Sequence, residues 1–183
     1  MGYGLEIYFD KESENKLINL WKELHDNGFS SFMYKYGEHP HISFGVFDDD
    51  LQDVKHLKQL VIDYFNNIPQ FELTLSTLGM FAGNSGVSFI SPKITKQLLD
   101  YHEKFYNKLC DNGYNKWFDE YYNPENWIPH CTMTFKTTPE NQMKSLELLD
   151  SLFKPFTARV EKVAFIEFYP VKYIEVVELK ENV

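Results

Sequence analysis

The sequence predicts an α+β fold made of two related halves, and two observations carry that prediction. One is the order of segments: strand, helix, strand, helix, strands, then helix, strand, helix and strands again. The other is a repeat. Pro40-His41-Ile42-Ser43-Phe44 is matched by Pro129-His130-Cys131-Thr132-Met133, about half the 183-residue chain further on. Each copy falls in a strand-like segment, and a helix-like segment follows each.

The elements follow from period and punctuation. Gly4 to Phe9 reads as a strand, and the whole stretch from Met1 to Asp10 lacks the basic start of a signal peptide. Lys11 to Asn27 places Leu17, Leu20, Trp21 and Leu24 at helical spacing, and Asn27-Gly28 ends it. From His39 to Phe47, Ile42, Phe44 and Val46 alternate with His41, Ser43 and Gly45, which is a strand pattern. Asp48-Asp49-Asp50 is positioned to cap a helix over Leu51 to Asn66. Phe71 to Ser76 and Val87 to Ile90 read as strands around the glycines Gly79, Gly83 and Gly86. Pro92 precedes a helix from Ile94 to Cys110, closed by Asp111-Asn112-Gly113. An irregular aromatic stretch, 115–129, leads into a strand over Trp127 to Phe135 and a helix over Pro139 to Phe153. Phe156 to Phe168 and Tyr173 to Leu179 read as closing strands around a turn at Pro170-Val171-Lys172. No linker divides them, so residues 1–183 are expected to form a single domain of two lobes.

Composition narrows the function. The net charge is −9, whereas proteins that grip long duplexes present basic faces to the phosphates. No long duplex is therefore expected as a partner; a small nucleotide or an RNA end in a local pocket is compatible. No apolar run reaches the length of a membrane span, and no membrane partner is expected. Cys110 and Cys131 lack disulfide or CxxC spacing, which predicts a reduced, cytoplasmic setting. Cys131 is expected to be a buried hydrophobe. No G-x-G-x-x-G or P-loop pattern appears, which argues against dinucleotide binding or ATP-driven chemistry.

The repeated motif carries the chemistry. Side chains at i and i+2 of a strand share a face. His41 and Ser43 therefore project together, as do His130 and Thr132, while Ile42, Phe44, Cys131 and Met133 turn to the core. With the two strands side by side, four polar groups converge on one groove. A neutral imidazole can take a proton from water, and an imidazolium can give one to a leaving oxygen. Two hydroxyls can bind the non-bridging phosphate oxygens. The set suits phosphodiester hydrolysis with no metal or other cofactor.

These residues resemble the two-histidine (2H) phosphoesterase superfamily, which includes the 2′-5′ RNA ligase-like and cyclic phosphodiesterase families. Its mark is two His-x-Thr/Ser motifs on strands, here His41-Ile42-Ser43 and His130-Cys131-Thr132, and the Trp127-Ile128-Pro129 approach is similar too. The resemblance implies two pseudo-symmetric lobes, each an antiparallel sheet with outer helices, and a catalytic groove between them. It implies that His41 and His130 are the catalytic pair and that Ser43 and Thr132 bind phosphate. It also implies metal-independent activity on 2′,3′-cyclic phosphates or 2′-5′ linkages of nucleotides or RNA ends. The chain is expected to act as a monomer.

Other readings stay open on the residues alone. His39 and His41 share a strand face and suggest a metal, although Glu38 points away if the strand already begins there. Ser43 as a nucleophile lacks a G-x-S-x-G elbow. A binding module could keep the groove and capture a phosphorylated ligand without turnover. Tyr121, Tyr122, Trp127 and Phe81 are candidates for stacking on a base or for core packing, and Lys136 for phosphate or for the surface. His25, His56 and His102 are expected on solvated helix faces.

Overall fold

In the computed structural model the described residues are 2–37, 39–83, 86–168 and 170–181. They form seven strands: β1 (Gly2–Phe9), β2 (His41–Phe47), β3 (Phe71–Met80), β4 (Ser88–Pro92), β5 (Cys131–Thr132), β6 (Phe156–Phe168) and β7 (Lys172–Glu178). The helices are α1 (Lys11–Asp26), α2 (Phe32–Tyr36), α3 (Val54–Phe65), α4 (Lys96–Asp111) and α5 (Pro139–Leu152).

The strands make one antiparallel sheet in the order β2-β1-β6-β3-β4-β5, with β7 also on β6. Strand β6 joins the two lobes. Its first part, Phe156 to Val160, pairs with β3, and its later part pairs with β1 and β7. One lobe is thus β2-β1-β6-β7 and the other β6-β3-β4-β5. The two ends of the sheet, β2 and β5, carry the two motifs and approach each other across the groove.

Strand alternation decides which residues reach that groove. On β1, Leu5, Ile7 and Phe9 enter the main core, while Glu6 and Tyr8 point to the other face. On β2, Ile42 and Phe44 enter the same core, leaving His41 and Ser43 opposite. The register places Glu6 beside Ser43 and Tyr8 beside His41.

Helix ends follow local chemistry. Asp10 caps α1 by accepting from Ser13 N–H at 2.9 Å, and Leu17, Trp21 and Leu24 form its buried stripe. Gly28, at φ 73°, takes the left-handed turn that follows α1. The helix expected from Leu51 begins later, at Val54. Its cap is Asp53, which accepts from His56 N–H at 3.2 Å, rather than the Asp48–Asp50 run. That run stays exposed because Leu51 is drawn into the core and Asp48 N–H is committed to Trp117 O at 2.9 Å. Pro92 ends β4 rather than opening α4, which starts at Lys96 behind a Thr95 cap.

The largest departure from the sequence expectation lies at the second motif. A strand over Trp127 to Phe135 shrinks to Cys131–Thr132, paired with Phe89 and Ile90. Pro129 has no N–H for a ladder, and its carbonyl accepts from Ser91 Oγ at 2.6 Å instead. Beyond Thr132, Met133 and Thr134 both donate to Ser88 O, which bends the chain out of strand geometry. His130 therefore precedes its strand rather than lying within it. The short helix α2 had no counterpart in the sequence reading, and Glu38 lies outside the described residues.

Candidate active site

The structure brings the four motif residues to one groove. His41, Ser43 and Thr132 line a cavity of about 260 Å³, and His130 and Thr132 line an adjoining one of about 610 Å³. Thr132, Tyr122 and Phe135 belong to both walls. Strands β2 and β5 are tied where they meet, since the Sγ of buried Cys131 accepts from the backbone N–H of His41. Burial pushes the Cys131 thiol up to about 12, so it is an inert part of the core.

Each histidine is oriented by the same device. His41 Nδ1 lies 2.8 Å from His39 O, and His130 Nδ1 lies 2.7 Å from Ile128 O. A carbonyl only accepts, so each Nδ1 carries a proton and Nε2 is the ring nitrogen that can bond elsewhere. The hydroxyl residues are held by a crossed pair of tryptophans. Trp21 Nε1 on α1 donates to Thr132 O at 3.0 Å, and Trp127 Nε1 donates to Ser43 O at 3.0 Å. Trp127, just before the second motif, thus fixes the backbone of the first, and Trp21 of α1 fixes that of the second. The Ser43 hydroxyl also hydrogen-bonds to the Tyr122 hydroxyl, whose pKa burial raises.

The surroundings of the two rings differ. His130 packs against Phe81 and Phe89, with ring centroids 4.9 and 5.2 Å away. Burial lowers its pKa from the ordinary 6.5, its bond to Ile128 O partly opposes that, and the charge of His41 lowers it further. His41 instead has the buried Glu6 carboxylate 3.3 Å from its Nε2. Among the described residues, neither cavity is lined by a lysine or an arginine.

The remaining candidates separate cleanly. His39 hydrogen-bonds through Nδ1 to Glu14, so its ring and that of His41 are held by different partners. Among the described residues no three His, Cys, Asp or Glu side chains gather as a metal-ligand set. Tyr121 is exposed and Phe81 half-buried on the His130 side, whereas Trp127 is buried. Lys136 lines neither cavity and sits over the ring of Phe135, 5.1 Å from its centroid. His102 corrects the expectation of a solvated side chain: it is 2% exposed. Its ring stacks on Trp127 at 3.8 Å and 6°, and its Nε2 donates to Phe44 O at 3.1 Å. It follows the helical spacing of Leu98, Phe105 and Leu109, a signal present in the sequence. Glu6 and Tyr8 were missed. Their signal was a glutamate and a tyrosine alternating with core residues in an otherwise apolar strand.

The family model for the 2′-5′ RNA ligase superfamily matches residues 10–170. The chain belongs to this superfamily. Superfamily architecture recurs in solved structures. TT0787 of Thermus thermophilus matches with a TM-score of 0.68 at 13% identity, covering 100% of both chains. E. coli LigT complexed with 3′-AMP matches with a TM-score of 0.60 at 12% identity, covering 97% of both chains. A structure described as a phosphoesterase matches with a TM-score of 0.61 at 13% identity, over 98% of both chains. At such identities these likenesses show the fold, which is the two-lobed LigT-like α+β fold. No curated protein matches the chain in sequence. Among the described residues no helix is long and apolar enough to cross a membrane.

Proposed function

We propose that this 2′-5′ RNA ligase superfamily member is a metal-independent phosphodiesterase. It hydrolyses a 2′,3′-cyclic phosphate or a 2′-5′ linkage of a nucleotide or RNA end. His41 and His130 are its proton-transfer pair, and Ser43 and Thr132 hold the phosphate. The observation that carries this reading is the matched orientation of the two rings. Each Nδ1–H is committed to the carbonyl two residues before it, so Nε2 is the nitrogen each ring has for other partners, and both rings line the groove.

The chemistry follows from that arrangement. One neutral Nε2 removes a proton from water as the oxygen attacks phosphorus. The P–O bond opposite breaks, and its oxygen takes the proton held on the other Nε2. A cyclic diester becomes a monoester, and the two hydroxyls donate to the non-bridging oxygens as charge builds on them. The lack of lysine and arginine in the described cavity walls favours a substrate with one phosphodiester over a chain of phosphates. The 3′-AMP in a LigT structure is a monoester of the kind that ring opening releases, which supports the same class. The two free cysteines support a reducing, cytoplasmic setting.

The test is hydrolysis of the four nucleoside 2′,3′-cyclic monophosphates in excess chelator by wild type, His41→Ala and His130→Ala. Turnover that collapses in both variants supports the proposal, and the isomer released gives the regiochemistry. Ligand binding without turnover, unaffected by either substitution, would favour a binding module instead.

A further inference from the structure

The near-identical motifs leave open which histidine gives the proton, and a residue outside both motifs breaks the tie. Glu6 on β1 is 7% exposed, and its Oε1 lies 3.3 Å from His41 Nε2. Its other oxygen, Oε2, accepts from Tyr8 O–H at 2.5 Å. A buried carboxylate needs a compensating charge. Among the ion pairs of the described residues, the one that involves Glu6 is with His41. His41 Nδ1 already faces a carbonyl, so both ring nitrogens look at groups that only accept.

We infer that Glu6 is a positioning residue that keeps a proton on Nε2 of His41, committing His41 to proton donation and His130 to proton removal. The inference rests on the phosphodiesterase reading and deepens it. His130 has the opposite setting: its ring lies against Phe81 and Phe89, and burial favours its neutral form. The 3.3 Å contact is long for a charge-assisted hydrogen bond, so Glu6 holds the Nε2 proton loosely enough for it to pass to a leaving oxygen. As that oxygen departs from phosphorus it takes the Nε2 proton, and water gives its own proton to His130. Tyr8 holds the carboxylate in place from behind.

Several other titratable groups face this cluster. Tyr8 hydrogen-bonds to Tyr173 on β7, and Tyr122 feels the charge of Glu6 from across the groove. Burial and the Glu6 charge both raise the pKa of Tyr8, so it stays a neutral donor. His39 lies 5.4 Å from the Tyr8 ring and is bonded to Glu14 on α1, and the charge of His41 lowers the pKa of His130. None of these supplies a second carboxylate to His41.

The experiment compares wild type, Glu6→Gln and Tyr8→Phe in two measurements. The first is the NMR titration of the His41 and His130 rings without substrate. The second is kcat/KM against pH for a 2′,3′-cyclic monophosphate in chelator. Glu6→Gln keeps the shape and the acceptor for Tyr8 while removing the charge, and thermal unfolding checks that it folds. In Glu6→Gln the His41 ring is expected to titrate about one pH unit lower than in wild type, with His130, relieved of part of the His41 charge, moving if at all the other way. The alkaline limb of the rate profile should move with it, for about a tenfold loss above neutral pH that is recovered in acid, without a raised KM. Tyr8→Phe should move both readouts the same way by less. An unmoved His41 titration, or a rate loss equal at every pH, overturns the inference. If wild type does not turn over the cyclic monophosphate, the cyclic-mononucleotide reading fails, and a 2′-5′ linkage, a larger RNA end or a binding role takes its place. The ring titration then still decides on its own whether Glu6 holds the proton.

Discussion

At the first motif, the His41 ring meets a buried carboxylate and a tyrosine network, with Tyr8 of β1 as its neighbour in the sheet. At the second, the His130 ring meets two phenylalanines and precedes a strand of two residues. Both rings nonetheless use the same Nδ1–carbonyl bond, and both hydroxyl residues have their carbonyls held by a tryptophan. The difference teaches that the duplicated part of the site sets geometry, while the unduplicated part sets charge. Geometry needs only residues within one motif and its crossed tryptophan. Charge depends on which strand happens to lie alongside.

The largest expected effect tests what the two regions share. His41→Ala and His130→Ala should each lower kcat by about 10²- to 10⁴-fold, the usual contribution of a positioned acid or base. Steady-state kinetics on a cyclic monophosphate checks this. A variant that keeps wild-type rates would show that its half of the groove takes no part. Next come the hydroxyls. Ser43→Ala and Thr132→Val should each cost about 10²-fold in kcat if they donate to the non-bridging oxygens. Unequal losses would sharpen the comparison, because Ser43 is shared with Tyr122 whereas Thr132 stands in both cavities.

How much of this was legible in the sequence depends on the distance over which a signal acts. The first motif was legible because a strand's period of two puts His41 with Ser43, and the second was legible as its repeat, although His130 precedes its two-residue strand. The same holds for α1, whose apolar spacing and Asn27-Gly28 stop are signals local to the helix. Glu6 was not legible. Its meaning comes from β1 pairing with β2 so that Glu6 falls beside Ser43 and Tyr8 beside His41, and a local pattern does not encode that register. The second motif misled because Pro129 interrupts the ladder that apolar alternation alone would continue. His102 was legible in the helical period of α4, but its polarity argued for solvent, and only the stacked Trp127 explains why burial is tolerated.

His102 also gives a pH test of the scaffold behind the first motif. Burial pushes its pKa down to about 4 from 6.5, with the bond to Phe44 O opposing. The unfolded chain therefore binds this proton at higher pH than the folded chain does. Stability contributed at neutral pH is lost as pH falls from about 6.5 towards 4. Between pH 7 and pH 5 the loss from this residue is about 2 kcal/mol. Urea unfolding of wild type and His102→Gln at both pH values measures it, and the variant should show a smaller drop. An equal drop in both would mean that His102 charges without disturbing the fold.

The smallest expected effect returns to the symmetry. Trp127→Phe removes the indole donor to Ser43 O, and Trp21→Phe removes the donor to Thr132 O. Each leaves a carbonyl without its side-chain donor, a loss of about 1 kcal/mol in unfolding free energy. If the crossed indoles are equivalent, the two losses should match. Trp127 also stacks on His102 and meets Phe44 edge-on at 5.3 Å, contacts that a phenyl ring keeps only in part. Trp127→Phe should therefore be the more costly, and part of its loss should disappear in a His102→Gln background, because the two rings are in contact. A double-mutant cycle on Trp127 and His102, set beside the single change at Trp21, separates the symmetric hydrogen bond from the stack that only one half possesses. Additive losses at 127 and 102 would take the stack out of the difference and leave it to the hydrogen bond and the Phe44 contact.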